Sequence, residues 1–331
     1  MFGFYFRTMK TYVNYKVNRY NPFVIFFLIT RKCNLDCPKC FVSKRFSSKN
    51  ELSTSKIFSL IEDASSIGVC YFSITGGEPL LRKDLIKIGK KIKEEGMVAS
   101  LSTNGCLITK ESAKDLVNTF DFIRVSLDGF KDSNDKMRGK GSFERTLRGI
   151  EHLISIKKRK TKIGIASVID DSNYKNVEQF FDFFKNKVDF ITFQPFYTRN
   201  YVFSNPDFVN TWRKIKEENE EKMADLNEFI GVPSLKEGKK FCDAAKLYLT
   251  IDSTGNVYPC LIEKSNPIGN LRENSLKEIW KSNDIQIARN MVKNCSGCYS
   301  KCTTEISKVF RKSSFDVIIQ SPKLIKVFRS K

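Results

Sequence analysis

The sequence predicts an α/β fold: a parallel sheet covered by helices, followed by a smaller cysteine-rich region. Three observations lead there. Between residues 23 and about 195 the chain alternates six times between a short apolar run and a longer stretch with helical spacing. The runs are almost continuously apolar, as strands buried on both faces are. Beyond residue 240, five of the ten cysteines gather among short strand-like pieces.

The elements follow in order. "FVIFFLI" at residues 23–29 reads as the first strand. "TSKIFSLIEDASSIG" then puts Ile57, Leu60, Ile61, Ala64 and Ile67 on one helical face. "CYFSIT" is a strand, and "RKDLIKIGKKIKEEG" a helix stopped by Gly96. "MVASLST" and "TKESAKDLVNTF", "DFIRVSL" and "GSFERTLRGIEHLISIKK", and "KIGIASVI" and "SNYKNVEQFFDFFKN" make three more strand–helix pairs. "VDFITFQPF" is the sixth strand. Six units fall short of a closed eightfold barrel. The expectation is a curved, partly open barrel or a doubly wound sheet, and in either the chemistry gathers at the C-terminal strand ends. Within residues 201–240, "TWRKIKEENEEKMADLNEFI" reads as a charged connector helix. "KLYLTID" and "NVYPC" form a hairpin around "STG" at residues 253–255. The tail from Ile306 is basic and partly apolar and is expected to pack as a last strand or helix. The expected divisions are an extension (1–20), a core (21–205), a connector (206–240), a cysteine-rich domain (241–305) and the tail (306–331).

At 331 residues the chain has ample length for a buried core. Lys and Arg number 57 against 37 Asp and Glu, a net charge of +20. That balance allows an anionic partner such as RNA, a phosphorylated small molecule or a lipid headgroup. The alternative is a lysine-rich solvated surface, which the even spread of lysines favours. The N-terminal "MFGFYFRTMKTYVNYK" interleaves charge with apolar residues and does not read as a signal peptide. No apolar run reaches the length of a membrane span. The expected compartment is the reducing cytoplasm, where clustered cysteines read as metal ligands sooner than as disulfides.

"TRKCNLDCPKC" carries Cys33, Cys37 and Cys40 on the loop after the first strand. A cubane iron–sulfur cluster wants four protein ligands, usually thiolates. Three cysteines leave one iron open, as catalytic metal sites keep an open position for substrate or cofactor. A structural zinc or chance clustering is the alternative.

This C-x3-C-x2-C motif after a first strand resembles that of the radical S-adenosylmethionine (SAM) enzymes. Further segments resemble theirs in the same order: "SITGGEPLL" after the second strand, "STNG" after the third, "VSLDG" after the fourth and "ITFQPF" at the sixth. The resemblance covers roughly residues 21–200. It implies a partial (β/α)6 TIM-type barrel, a [4Fe–4S] cluster on Cys33, Cys37 and Cys40 whose open iron takes SAM, and SAM contacts from Gly76, Gly77, Glu78, Ser126 and Arg138. Gln194 or Pro195 is placed on the adenine side. The family pattern often has an aromatic or His before the last cysteine; here Lys39 stands there, and Phe41, just after, is the candidate adenine neighbour. Other readings of these residues are a glycine-rich turn opening a helix at "GGEP" and a solvated loop arginine at Arg138. The implied chemistry is one-electron cleavage of SAM to methionine and a 5′-deoxyadenosyl radical, which abstracts hydrogen from an unactivated carbon.

Cys242, Cys260, Cys295, Cys298 and Cys302, with "PIGNLRENSLKEIW" between the second and third, resemble the SPASM or "twitch" extension of such enzymes. By that resemblance Cys242, Cys260, Cys295 and Cys298 bind one auxiliary [4Fe–4S] cluster, with Cys302 an alternative or spare ligand. A four-thiolate zinc is the competing reading. Cys70 reads as a buried apolar residue, Cys106 receives no role, and His152, the only histidine, reads as a packing or surface residue.

The expectation is therefore an enzyme that oxidises or modifies a small molecule or peptide, supplied with electrons by a low-potential donor such as ferredoxin or flavodoxin. Many peptide-modifying relatives carry an added N-terminal peptide-binding domain. The short stretch before the first strand here tilts the expectation toward a small molecule, a lipid, or a peptide bound without that module. The alternatives are a radical SAM enzyme acting on RNA or an anionic lipid, and a non-catalytic zinc protein that binds nucleic acid.

Overall fold

The computed structural model describes residues 2–40, 42, 50–157, 160–197, 202–219, 222, 242–261, 266–295, 306–307 and 310–311, with backbone alone for 2–6. Most of the predicted connector and of the tail lies outside these residues. The chain's contacts group into two units: residues 1–34, 40–102 and 242–296, and residues 35–39, 103–241 and 297–331.

The first unit opens with helix α1 (Phe2–Lys16), within the stretch that the sequence reading set apart as an extension. Strands β1 (Val24–Leu28), β2 (Tyr71–Thr75) and β3 (Val98–Thr103) follow, with α2 (Thr54–Ser66) and α3 (Leu85–Glu94) between them. All three strands run parallel, β1 to β2 in the register Val24 to Tyr71 and β2 to β3 in the register Tyr71 to Val98. All five residues of β1 are buried, which explains a run with no polar alternation. Ser53 caps α2 by accepting from Lys56 N, and Ile57, Leu60, Ile61 and Ala64 form its buried face as the spacing predicts. Leu85, Ile88 and Ile92 do the same for α3.

The cysteine-rich region adds to this same sheet. β7 (Tyr248–Ile251) runs parallel to β1 on the edge away from β2, in the register Val24 to Tyr248. β8 (Asn256–Tyr258) returns antiparallel to β7, and β9 (Gly269–Asn270) pairs with β8. The predicted hairpin is present: Asp252 gathers its turn, accepting at Oδ1 from Thr254 N, Thr254 Oγ1 and Asn256 N. Helices α9 (Leu276–Lys281) and α10 (Asn283–Lys293) close the region. Leu276 N donates to Asp63 of α2 at 2.9 Å, and Trp280 Nε1 to Tyr20 O at 3.1 Å, so α9 is tied to α2 and to the segment before β1.

The second unit holds β4 (Phe122–Ser126), β5 (Lys162–Ile169) and β6 (Phe190–Pro195), again parallel, with helices α4 (Lys110–Thr119), α5 (Lys131–Arg138), α6 (Ser142–Ile156), α7 (Val177–Phe184) and α8 (Pro206–Glu218). Thr109 and Ser112 form a capping box at α4. The core under α7 is aromatic: Phe180 lies 4.9 Å from Phe184, 5.6 Å from Phe130 and 6.4 Å from Phe193, ring centre to ring centre. Each unit carries three of the six core strands the sequence predicts, and every one of them except β5 leads into or contains an expected motif segment.

Candidate functional site

In the first unit, the loop after β1 carries the cysteine triplet, and its opening turn is held from two sides. Glu51 Oε1 accepts from Thr30 Oγ1 at 2.7 Å and from Arg31 N at 3.0 Å. Arg82 pairs with Asp84 through Nε and Nη2, at 2.9 and 2.7 Å, and Nη1 donates to Ile29 O at 3.2 Å. The segment after β2 lies directly against this turn. Gly77 N donates to Thr30 O at 2.7 Å, and Glu78 N to Lys32 O at 2.8 Å. The glycines are required by that approach. A Cβ on Gly77 would stand 2.6 Å from Arg31 O and nearer still to Lys32 O; one on Gly76, whose φ is +142°, would press on Thr30 O. The resemblance implies SAM contacts from this pair; on the side where a Cβ would stand, its neighbour is the backbone that leads into Cys33. Glu78 is fully buried and its Oε1 accepts from Leu80 N at 3.1 Å, capping the turn Pro79–Leu81.

Cys33 is exposed, and Cys37 and Cys40 are half-buried. Among the described residues no three His, Cys, Asp or Glu side chains form a ready-made metal-binding group. The donor set still fits an iron–sulfur cluster: three accessible thiols share one short loop, and its base is pinned by the hydrogen bonds above. Phe41, the candidate adenine neighbour, lies outside the described residues.

In the second unit two cations stand at strand ends, each held by a buried carboxylate. Ser126 ends β4, half-buried. Two residues on, Asp128 meets Arg138, with Nε 2.7 Å from Oδ2, while Oδ1 accepts from Val168 N at 2.7 Å. Arg138 is the last residue of α5 and is buried, so it is not a solvated loop arginine. Burial disfavours its charge, but Asp128 outweighs that, and the negative charges of Cys37 and Cys106 add to it, holding the guanidinium above its ordinary pKa. Arg138 therefore lies within electrostatic reach of the middle cysteine of the triplet. Lys39 pairs with Asp170, just past β5, and its ammonium lies 4.5 Å from the centre of the Phe196 ring. Burial pushes the Asp170 carboxyl up, but the hydrogen bonds from Lys39 and Ser172 bring it below the usual carboxylate range. Asn173 links the two pairs: its Oδ1 accepts from Asp170 N at 2.9 Å, and its Nδ2 donates to Asp128 O at 3.1 Å and Val168 O at 2.7 Å.

Sequence reasoning gave no role to Glu51, Asp128, Asp170 or Asn173. A signal was present in two of them: in "VSLDG" and "SVIDD" an acidic residue directly follows a buried strand, where an unpaired carboxylate is costly.

Three cysteines of the second group, Cys242, Cys260 and Cys295, lie in the first unit. Cys242 Sγ lies 2.9 Å from the hydroxyl of buried Tyr248 on β7. Burial pushes the Cys242 thiol up, and negative charge at Cys295, just past α10, acts in the same direction. Cys260 follows β8. Tyr258 and Leu261 on either side of it pack, together with Cys40, against Leu28 and Val42. The hairpin carrying Cys260 thus lies against the first cysteine loop. Cys298 and Cys302 lie outside the described residues. Of the remaining candidates, Gln194 Nε2 donates to Pro195 O at 3.0 Å, and His152 is half-buried on α6. Cys70 is buried with its thiol pushed up to about 11, chiefly by desolvation. Cys106 is half-buried, its Sγ 3.4 Å from Thr146 Oγ1.

Comparison with known proteins agrees with this layout. The Radical SAM superfamily profile matches residues 27–184, and that of the SPASM iron-sulfur cluster-binding domain matches residues 242–303. Fe-coproporphyrin III synthase of Methanosarcina barkeri is 39% identical over 162 residues, 48% of this chain and 40% of that protein. AdoMet-dependent heme synthase of the same organism is 26% identical over 298 residues, 80% of this chain and 83% of that protein. Mycofactocin maturase MftC of Mycolicibacterium smegmatis is 32% identical over 161 residues, 48% of this chain and 41% of that protein. The chain thus spans about two fifths of the length of the first and third of these relatives. The crystal structure of Streptococcus suis SuiB bound to S-adenosylmethionine shares the fold, with a TM-score of 0.66 at 19% identity over 92% of this chain and 76% of that one. With both domains present in the predicted order, the chain belongs to the radical SAM superfamily and carries a C-terminal SPASM domain, a pairing that implies a [4Fe–4S] cluster, SAM and auxiliary iron–sulfur ligation.

Proposed function

We propose that the protein is a cytoplasmic radical SAM enzyme that modifies a carboxylate-bearing small molecule of the tetrapyrrole class. The observation that carries this reading is the match to AdoMet-dependent heme synthase along most of both chains, at 80% and 83% coverage. Fe-coproporphyrin III synthase and Pre-heme d1 synthase, at 39% and 34% identity over the core, bear names of the same chemical class. A net charge of +20 suits a substrate with several carboxylates.

In this reading Cys33, Cys37 and Cys40 hold the first cluster. Cys242, Cys260, Cys295 and Cys298 hold the auxiliary one, with Cys302 as the alternative ligand. Gly76, Gly77, Glu78, Ser126 and Arg138 line the SAM site, with Phe41 at the adenine. The bound groups supply a reductive cleavage of the sulfonium C–S bond and a carbon radical that removes hydrogen from the substrate, with electrons from a ferredoxin- or flavodoxin-like donor. The chain's own share is placement. Glu51, Arg82 and the Gly77–Thr30 contact fix where the first thiols stand, and Arg138 and Lys39 present positive charge beside the thiolates.

The test is anaerobic turnover of the reconstituted full chain with SAM, a reductant and carboxylated tetrapyrroles, followed by mass spectrometry. Tetrapyrrole-stimulated release of 5′-deoxyadenosine, with a matching mass change in the tetrapyrrole, supports the reading. Deoxyadenosine release that responds only to peptide would favour peptide maturation, the second reading, which rests on the 32% identity to MftC. A steep salt dependence of binding to RNA or to lipid headgroups, with those molecules as the modified products, would favour the anionic-polymer and lipid alternatives. The zinc-protein alternative is set aside by the two family matches.

A further inference from the structure

Helix α1 turns an apolar stripe toward solvent. Its face toward the unit is mixed: Tyr12 is buried there, and polar side chains stand beside it. Arg7 donates to Val69 O at 3.4 Å and to Ser65 Oγ at 3.1 Å, Thr11 is buried, and Asn14 Nδ2 donates to Asn21 Oδ1 at 2.9 Å. The face toward solvent is apolar. Met9, Val13 and Val17 recur every four residues and are 43%, 54% and 56% exposed. Val17 still belongs to the helical run, since its N–H bonds Val13 O at 3.2 Å. In the sequence Phe6, three residues before Met9, and Phe2, four before that, extend an i, i+3/i+4 apolar pattern.

The charges around this stripe are all of one sign. At about 100° per residue, exposed Lys16 and Lys10 fall on its two sides, and exposed Arg19 follows its end. Residues 1–35 contain no Asp or Glu. An apolar stripe bracketed by cations is the pattern of a helix lying in the plane of a bilayer surface, where lysine stems run along the apolar side and their ammoniums reach lipid phosphates. A second copy of the chain fits poorly, because self-pairing through this face would bring the same cations together. A docked electron donor fits poorly as well. α1 contacts Val69 and, through Thr8 and Thr11, Cys70, at the N-terminal end of β2, whereas the cysteine loop lies against Gly76 and Gly77 at the other end, about 17 Å away along five strand residues.

We propose that α1 is a docking helix that holds the protein on the surface of an anionic phospholipid bilayer. Among the described residues no helix is long and apolar enough to cross a membrane, so the attachment is a lying-on one. It seats the base of the strands on the lipid and leaves the cysteine loop facing away from it.

The experiment is co-sedimentation of the reconstituted full chain with phosphatidylglycerol/phosphatidylcholine vesicles and with pure phosphatidylcholine vesicles. The expected result is binding to the anionic vesicles that weakens with salt, and little to the neutral ones. Val13→Asp/Val17→Asp should reduce partitioning by about 100-fold or more. Lys10→Gln and Lys16→Gln should each reduce it about fivefold. Both sets of positions are exposed, so melting temperatures should match the parent. Absence of binding to anionic vesicles at low salt would overturn the proposal, as would a Val13→Asp/Val17→Asp variant that binds like the parent. So would a parent dimer that the variant dissolves without any vesicle binding, which would assign the face to a second copy of the chain.

Discussion

Replacing Gly77 by alanine is expected to disable the first cluster while leaving the chain folded. The added Cβ would stand 2.6 Å from Arg31 O, against an ordinary contact distance of 3.4 Å or more, and nearer still to Lys32 O. Both neighbours are backbone atoms in a turn pinned by Glu51 and Arg82, so no side chain can swing aside. The two segments must part by about 1 Å, which strains the Gly77–Thr30 and Glu78–Lys32 hydrogen bonds at 2.7 and 2.8 Å. Two lost backbone bonds at about 1 kcal/mol each, with about 1–3 kcal/mol of overpacking, give about 3–5 kcal/mol. That is less than the stability of most domains of this size, so the loop should shift before the chain unfolds. The assay is iron and sulfide per chain after anaerobic reconstitution, with 5′-deoxyadenosine formation beside it. The expected outcome is a loss of about four irons, or retention of iron with cleavage reduced about 100-fold, and an unchanged circular dichroism spectrum. A Gly77→Ala protein with parental iron and parental cleavage would refute the claim that this backbone contact positions the cysteines.

Three further outcomes follow from the second unit and the core. Arg138→Ala leaves Asp128 buried without its cation and should destabilise the protein by about 3–5 kcal/mol, read as a lowered denaturant midpoint; an unchanged midpoint would mean the pair is not formed in solution. Asp170 has a folded pKa below its unfolded value of about 3.9, so its contribution is present above that value and is lost as the pH falls through the folded one. With Lys39 half-exposed the contribution should be about 1 kcal/mol, and the stability gap between parent and Asp170→Asn should hold from neutral pH down to about pH 4 and narrow below it. Cys70, buried and with a thiol near 11, should be among the last cysteines alkylated by iodoacetamide in the native protein, as followed by peptide mass spectrometry.

The parts of the fold legible in the sequence are those fixed locally. The six core strands, the apolar face of α2 and the "STG" hairpin each follow from a few neighbouring residues, and the loop motifs fall at the strand ends as expected. What the sequence hid depends on partners far along the chain. Lys39 read as a departure from the family pattern, and its counter-ion Asp170 lies 131 residues away. Arg138 had a solvated loop arginine as its alternative reading, yet it closes helix α5 and its side chain packs against Asp128. α1 escaped because its charges are interleaved, and the amphipathic sorting appears only when the helix is wound. The "GGE" segment was legible as a close approach, but what lies against it required the structure.

The pairing of β7 with β1 has a consequence for how the protein is made. β1 emerges from the ribosome long before β7, with five apolar residues and two hydrogen-bonding edges. One edge is filled early by β2; the other has to wait for residues 248–251, more than two hundred positions later. Such a non-local closure is slow, and an unfilled apolar edge is a template for pairing between chains. The second cysteine region is therefore a late-arriving seal on the nascent core. Chains cut before residue 242 should accumulate as aggregates during synthesis, even when every residue of the radical SAM domain is present.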